Sequence, residues 1–148
     1  MALKVSTGLR NYMMDTGSLG DALALGFINI YAGSPPADAD AAVGGATLLL
    51  QLTESGDGVT GLNMAAAAVN GVLSKLSSED WQGTVLTNGT AAWYRHVEAA
   101  DTGVSSTTEK RIQGTIATAG ADMNMTDVAL VASAVETVNS YSVALPTY

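Results

Sequence analysis

Turn-forming clusters interrupt this chain about every ten residues over most of its length, and that spacing limits the size of every element between them. Ser55-Gly56-Asp57-Gly58, Gly71, Asn88-Gly89, Asp101-Thr102-Gly103, Ala119-Gly120-Ala121-Asp122 and Asn139-Ser140 all supply residues suited to turn or left-handed backbone. The pieces between them, 59–64, 81–87, 90–97, 111–118, 123–130 and 141–145, have strand length and mix Thr, Val, Ile or aromatic residues with small ones. Short strands at this spacing predict a sandwich or barrel. The Asn88-Gly89 pair predicts a two-residue hairpin.

The first part of the chain follows a different period. Leu9, Tyr12 and Met13, then Leu19, Ala22 and Leu23, recur at three- and four-residue steps, which predicts two short helices within 9–25. Gly17-Ser18 separates them; Ser18 is placed to cap the second, with Asp21 at the partner position of a capping box. After Gly26, the run 27–31 is β-branched and aromatic and ends at Gly33-Ser34-Pro35-Pro36, so it reads as a strand. An Ala/Asp stretch over 37–42, with Asp38 and Asp40 read as a solvated loop, leads to 48–53, apolar enough at its start for a central strand. Residues 65–69 are readable as helix or strand. The sequence Gln82-Gly83-Thr84-Val85 is echoed by Gln113-Gly114-Thr115-Ile116, which suggests two similar strands in facing sheets, each with a bulge or a tightly packed backbone at its Gly.

Composition narrows the class. The 148 residues fit one domain, with 1–25 as an N-terminal helical arm within it. Apolar residues at 47% and charged residues at 14% predict a folded chain. The absence of Cys excludes disulfide scaffolds, thiolate metal sites and thiol nucleophiles. Six Lys+Arg against fourteen Asp+Glu give a net charge of -8, and Lys110-Arg111 is the one adjacent basic pair, so nucleic-acid binding is not expected. No apolar run approaches the ~18 residues of a spanning helix. The first eight residues carry one cation and no apolar stretch, so no secretory signal and no membrane association are expected.

Catalytic constellations are sparse. His96 is the sole histidine, it has no nucleophile elbow to serve, and it reads as a surface or interface polar residue. Glu79-Asp80 beside Trp81 invites a glycosidase reading, but adjacent strand residues point to opposite faces, and the pair reads as a turn before a strand. Asp122-Met123-Asn124-Met125-Thr126-Asp127 departs from a calcium loop at its sixth and twelfth positions and reads as a strand with the two Met residues inward. Gly56-Asp57-Gly58 lacks the residues of a phosphate loop. No enzyme activity, cofactor or metal is therefore expected. The candidate contact residues are Trp81, Trp93 and Tyr94, which serve cores and interfaces alike, and the apolar start Leu3, Val5 and Leu9, able to act as an arm onto a neighbouring subunit. The same aromatics also motivate a carbohydrate-binding alternative.

Several stretches resemble small tailed-bacteriophage virion proteins: Gly8-Leu9-Arg10-Asn11, the run from Ile28 to Asp40, Gly89-Thr90-Ala91-Ala92-Trp93-Tyr94-Arg95, the run from Gly114 to Met125, and the ending Ser142-Val143-Ala144-Leu145-Pro146. Within that group the chain resembles head decoration, or cement, proteins. The resemblance implies a jelly-roll-like antiparallel β-sandwich that binds the outer capsid surface at junctions of the major capsid protein. It further implies a dimer or trimer, made in the host cytoplasm and resident on the virion. A tail- or neck-associated structural protein is the nearest alternative.

Overall fold

The structure, a computed structural model, describes residues 3–144. It begins with β1 (Lys4–Val5), followed by α1 (Thr7–Asp15) and α2 (Leu19–Ala22), the two short helices that the apolar spacing predicts. Ser6 caps α1 by accepting the Leu9 N–H at 3.1 Å. At α2 the predicted capping box is complete: Ser18 Oγ accepts the Asp21 N–H, and the Asp21 carboxylate accepts the Ser18 N–H, both at 3.1 Å. Hydrogen bonds from the Ser18 side chain and backbone hold the Asp21 carboxyl below the usual carboxylate range.

The rest of the chain is predominantly β: β2 (Phe27–Ala32), β3 (Thr47–Glu54), β4 (Val72–Ser74), β5 (Trp81–Thr84), β6 (Gly89–Thr90), β7 (Trp93–Val97), β8 (Arg111–Ala117), β9 (Met123–Asn124), β10 (Ala129–Leu130), β11 (Val135–Val138) and β12 (Ser142–Ala144). One hydrogen-bonded path runs β1-β8-β7-β2-β3-β5-β11, antiparallel at every step, with β9 added parallel to β8. Two ribbons, β10-β6 and β12-β4, stand beside it.

Register divides the path into two faces. Leu52, Ile28, His96, Ile112 and Val5 lie in one transverse row, and Leu50, Ile30, Tyr94 and Gly114 in the next on the same face. The large apolar members of these rows belong to the main core, together with Leu9, Leu23, Leu49, Leu62, Trp81 and Tyr141. Between those rows, on the opposite face, Gln51, Asn29, Arg95, Gln113 and Lys4 stand side by side. A bulge between Ile30 and Tyr31 leaves Leu49 of β3 without an opposite residue, and Leu49 is buried.

Four sequence expectations are corrected. Asn88-Gly89 makes no hairpin, because β5 pairs with β3 and β11 while β6 pairs with β10. The tight Asn-Gly turn is at Asn70-Gly71, where both φ are positive, 52° and 77°, and it leads from 65–69, neither helix nor strand, into β4. Residues 59–64 form no strand. Asp57 takes the Val59 and Thr60 N–H groups at 2.8 and 2.7 Å, and this local turn competes with a ladder. The Gln-Gly-Thr echo falls on β5 and β8, which belong to the same path with β7, β2 and β3 between them. The close packing expected at its glycines is present: a Cβ at Gly83 would run into the Gln51 carbonyl, and one at Gly114 would come to 2.7 Å from the Tyr94 ring. Of the expected strand at 141–145, β12 is seen, and residue 145, with Pro146 of the resembling ending, lies outside the described residues.

Candidate functional site

The polar row is covered by the loop joining β2 to β3. An irregular loop laid over a sheet must find donors for its carbonyls, and here cationic and amide side chains supply them. Lys4 Nζ donates to Ala37 O at 2.7 Å, Gln113 Nε2 to Pro36 O at 3.0 Å and Arg95 Nη1 to Ala41 O at 3.0 Å. Arg111 Nη1 reaches Ala39 O at 3.3 Å. Below the loop, Arg95 Nη2 donates to Gln113 Oε1 at 2.6 Å and Gln51 Nε2 to Asn29 Oδ1 at 2.9 Å. Asp40 accepts the Thr7 N–H and hydroxyl at 2.8 and 2.6 Å, which ties the same loop to the start of α1. Asp38 and Asp40 stand in a loop as expected, Asp38 exposed and Asp40 half-buried, but the inner side of that loop, with Ala39 buried, is the roof of a polar layer.

Arg111 is the centre of that layer. Its guanidinium pairs with both Asp101 and Glu109 and donates to Val104 O at 2.8 Å. Arg95, also fully buried, lies over the Trp93 ring at 5.7 Å, and Trp93 stacks on Tyr31 with ring centroids 4.3 Å apart. Burial, then the neighbouring Arg111 charge, lowers the Arg95 pKa from its ordinary value.

On the core face, His96 Nδ1 lies 3.3 Å from Tyr141 Oη. Trp81 and Tyr94 flank Tyr141 at ring-centroid distances of 5.6 and 6.0 Å. Burial pushes the His96 pKa down to about 3 and the Tyr94 phenol up to about 12. It also raises Tyr141 well above the ordinary tyrosine value. With its pKa lowered to about 3 the imidazole is a weak base, and it packs neutral among protonated phenols. His96, read from sequence as a surface or interface residue, is fully buried because β7 has neighbours on both edges and cover on both faces. Glu79 is a satisfied buried carboxylate: it accepts Trp81 Nε1–H, the Asn63 N–H and Asn63 Nδ2–H, each at 2.8 Å.

The sequence-selected contact residues are not gathered into one site. Leu9, Trp81, Trp93 and Tyr94 are buried within the chain itself, while Leu3 and Val5 are half-buried against the core. Lys4–Val5, the expected arm, is an edge strand paired to β8. The four buried side chains, Leu9, Trp81, Trp93 and Tyr94, present no surface to a partner, while Leu3 and Val5 keep part of theirs beside the outer edge of β1. Large apolar residues that do face solvent include Leu86, Val131 and Val135, each 62% exposed. The backbone holds them near one another: Val85 and Ser133–Ala134 exchange hydrogen bonds at 2.8 and 2.9 Å, and Val135 is paired with Thr84. No aromatic or motif marks this strip in the sequence. Its one signal is a set of aliphatic residues beside a short edge strand, β11, at one end of the path.

Elsewhere a cleft of about 460 Å³ is lined by hydroxyl and amide groups of Ser74, Ser77, Asn124, Asn139 and Ser140, with Asp122 and Tyr141. Among the described residues no three His, Asp or Glu groups are placed to hold a metal ion, and no helix is long and apolar enough to cross a membrane. No family model matches the chain, and no curated protein or solved structure matches it either.

Proposed function

We propose that this chain is an adhesive structural protein of a tailed-phage virion, a head decoration protein that binds the major capsid protein at subunit junctions and braces the shell. The observation that carries this reading is the set of exposed aliphatic residues Leu86, Val131 and Val135, brought close by the backbone pairing around the start of β11, apolar surface available for a partner to cover. The resemblance to cement proteins in the runs 28–40, 89–95 and 114–125 supports it. In this reading the antiparallel path and its two ribbons are a variant of the jelly-roll-like sandwich, the protein acts as a dimer or trimer on the capsid surface, and the role calls for no catalysis, cofactor or nucleic acid. Many weak contacts repeated over a symmetric shell give strong retention without any deep site.

Quantitative mass spectrometry of purified particles tests the reading: copies in proportion to capsid subunits support it, and a handful per particle overturns it. An electron micrograph of tagged virions separates it from the tail or neck alternative by where the label falls. The carbohydrate-binding alternative no longer has Trp81, Trp93 or Tyr94 to draw on, since all three are buried; the Asn139–Tyr141 side of the polar cleft is where it would turn.

A further inference from the structure

The chain contains two Asn-Gly pairs, Asn70-Gly71 and Asn88-Gly89, the dipeptide in which no side chain shields the peptide nitrogen that follows the asparagine. The fold treats them in opposite ways. Asn70 and Gly71 form the tip of an exposed turn closed only by the Val69 and Val72 backbone bonds at 2.9 and 3.0 Å. Among the described residues, neither the Asn70 side chain nor the Gly71 N–H has a hydrogen-bond partner, and nothing lies within 4 Å of the place a Gly71 Cβ would occupy. Asn70 is also held at φ 52°, in the left-handed region that Asn enters more readily than other residues with a Cβ. The turn feeds the small β12-β4 ribbon rather than the seven-strand path, so it opens at a fraction of the global unfolding cost.

Asn88 is anchored. Its Oδ1 accepts the Ala132 N–H at 2.8 Å, and Gly89 is enclosed in β6 opposite Leu130, where a Cβ would come to 2.6 Å from the Leu49 side chain. Moving the Gly89 nitrogen onto the Asn88 side chain requires both contacts to open.

We propose that Asn70 is a self-modification site, converted to aspartate and isoaspartate through a cyclic imide formed with Gly71, while Asn88 is protected by the fold. The Gly71 nitrogen gives its proton to solvent base and bonds to Asn70 Cγ; the Cγ–Nδ2 bond breaks and ammonia leaves. Water then opens the imide at either carbonyl, so the net change is one amide and one water to one carboxylic acid and one ammonia. Each event adds one negative charge to the present -8. The isoaspartate product also lengthens the backbone within a turn that has no slack for it.

The test is ageing of the full chain in mildly alkaline buffer, followed by peptide mapping and isoaspartate detection with a protein isoaspartyl methyltransferase. Asn70 is expected to convert about tenfold or more faster than Asn88 in the folded chain, because Asn88 must first open its anchoring contacts. In urea the two sites should react at similar rates. Equal rates in the folded chain, or an intact Asn70 where the unfolded chain reacts, would overturn the proposal. An Asn70→Ser variant should lose the acidic species on isoelectric focusing, and its persistence would equally overturn it.

Discussion

His96 and Arg111 show how single residues set the conditions under which this fold holds. Burial keeps His96 neutral, with a folded pKa of about 3 against about 6.5 in the unfolded chain. The unfolded chain therefore binds the extra proton, and the His96 contribution is intact above about pH 6.5 and is lost as the pH falls toward 3. At about pH 4.5 the loss should be on the order of 2–3 kcal/mol. Urea unfolding of the parent and of His96→Phe at neutral and acid pH isolates it: the variant should lose less stability on acidification, and parallel losses would exclude His96 as the cause. At Arg111 the expectation concerns an abandoned partner. Arg111→Met leaves Asp101 and Glu109 without their cation, an outcome that costs about 3–5 kcal/mol in buried pairs. Arg111→Lys should recover only part of it, since an ammonium cannot reach two carboxylates and the loop carbonyls as a planar fork does. Equilibrium denaturation measures both.

Among the elements, glycine separates backbone that must be bare from backbone that is merely free. Gly83 of β5 lies against the Gln51 carbonyl and the Leu50 side chain, so Gly83→Ala should overpack the β3-β5 pairing and cost about 1–3 kcal/mol. Gly45, in open space, should accept Ala within about 0.5 kcal/mol, and thermal melts of the pair make the comparison. The helices, β2 and β3 were legible because their signals are local: the Ser18-Asp21 box closes within one turn, and a β-branched run bounded by Gly and Pro needs no distant information. Asn88-Gly89 misled because a distant segment, Ala132, claims the Asn88 side chain, whereas Asn70-Gly71 has no such competitor and adopts the turn its sequence favours. The strands β4 and β11 were missed for a related reason, being short pieces that become strands only through Ser142–Ala144 and Trp81–Thr84.

Across the whole molecule, the charge of -8 gains a structural meaning. Five of the six cations, Lys4, Arg10, Arg95, Lys110 and Arg111, sit on or beside β1, α1, β7 and β8, and the two that are fully buried, Arg95 and Arg111, are offset by carboxylates withdrawn with them, Asp101, Glu109 and Glu79, so the net acidity stays on the solvent-facing surface. Leu86, Val131 and Val135 are apolar residues exposed on that surface. Val135→Glu and Leu86→Asp should leave folding within about 0.5 kcal/mol, as exposed substitutions do. Under the proposed role they should sharply lower occupancy on purified phage heads in co-sedimentation; undiminished binding would remove the strip from the contact surface. The sequence by itself determined the β-rich character, the two short helices with the capping box of the second, and the strands at 27–31 and 48–53, because periodicity, capping and turn chemistry act over a few residues. Tertiary structure alone decided the two faces of β7. Trp93-Tyr94-Arg95-His96-Val97 alternates without an apolar side, and only the arrival of the Asp38–Ala41 carbonyls on one face and Tyr141 on the other shows why both parities are buried. Those partners come from distant parts of the chain, and a buried polar side chain is favourable only once they are in place.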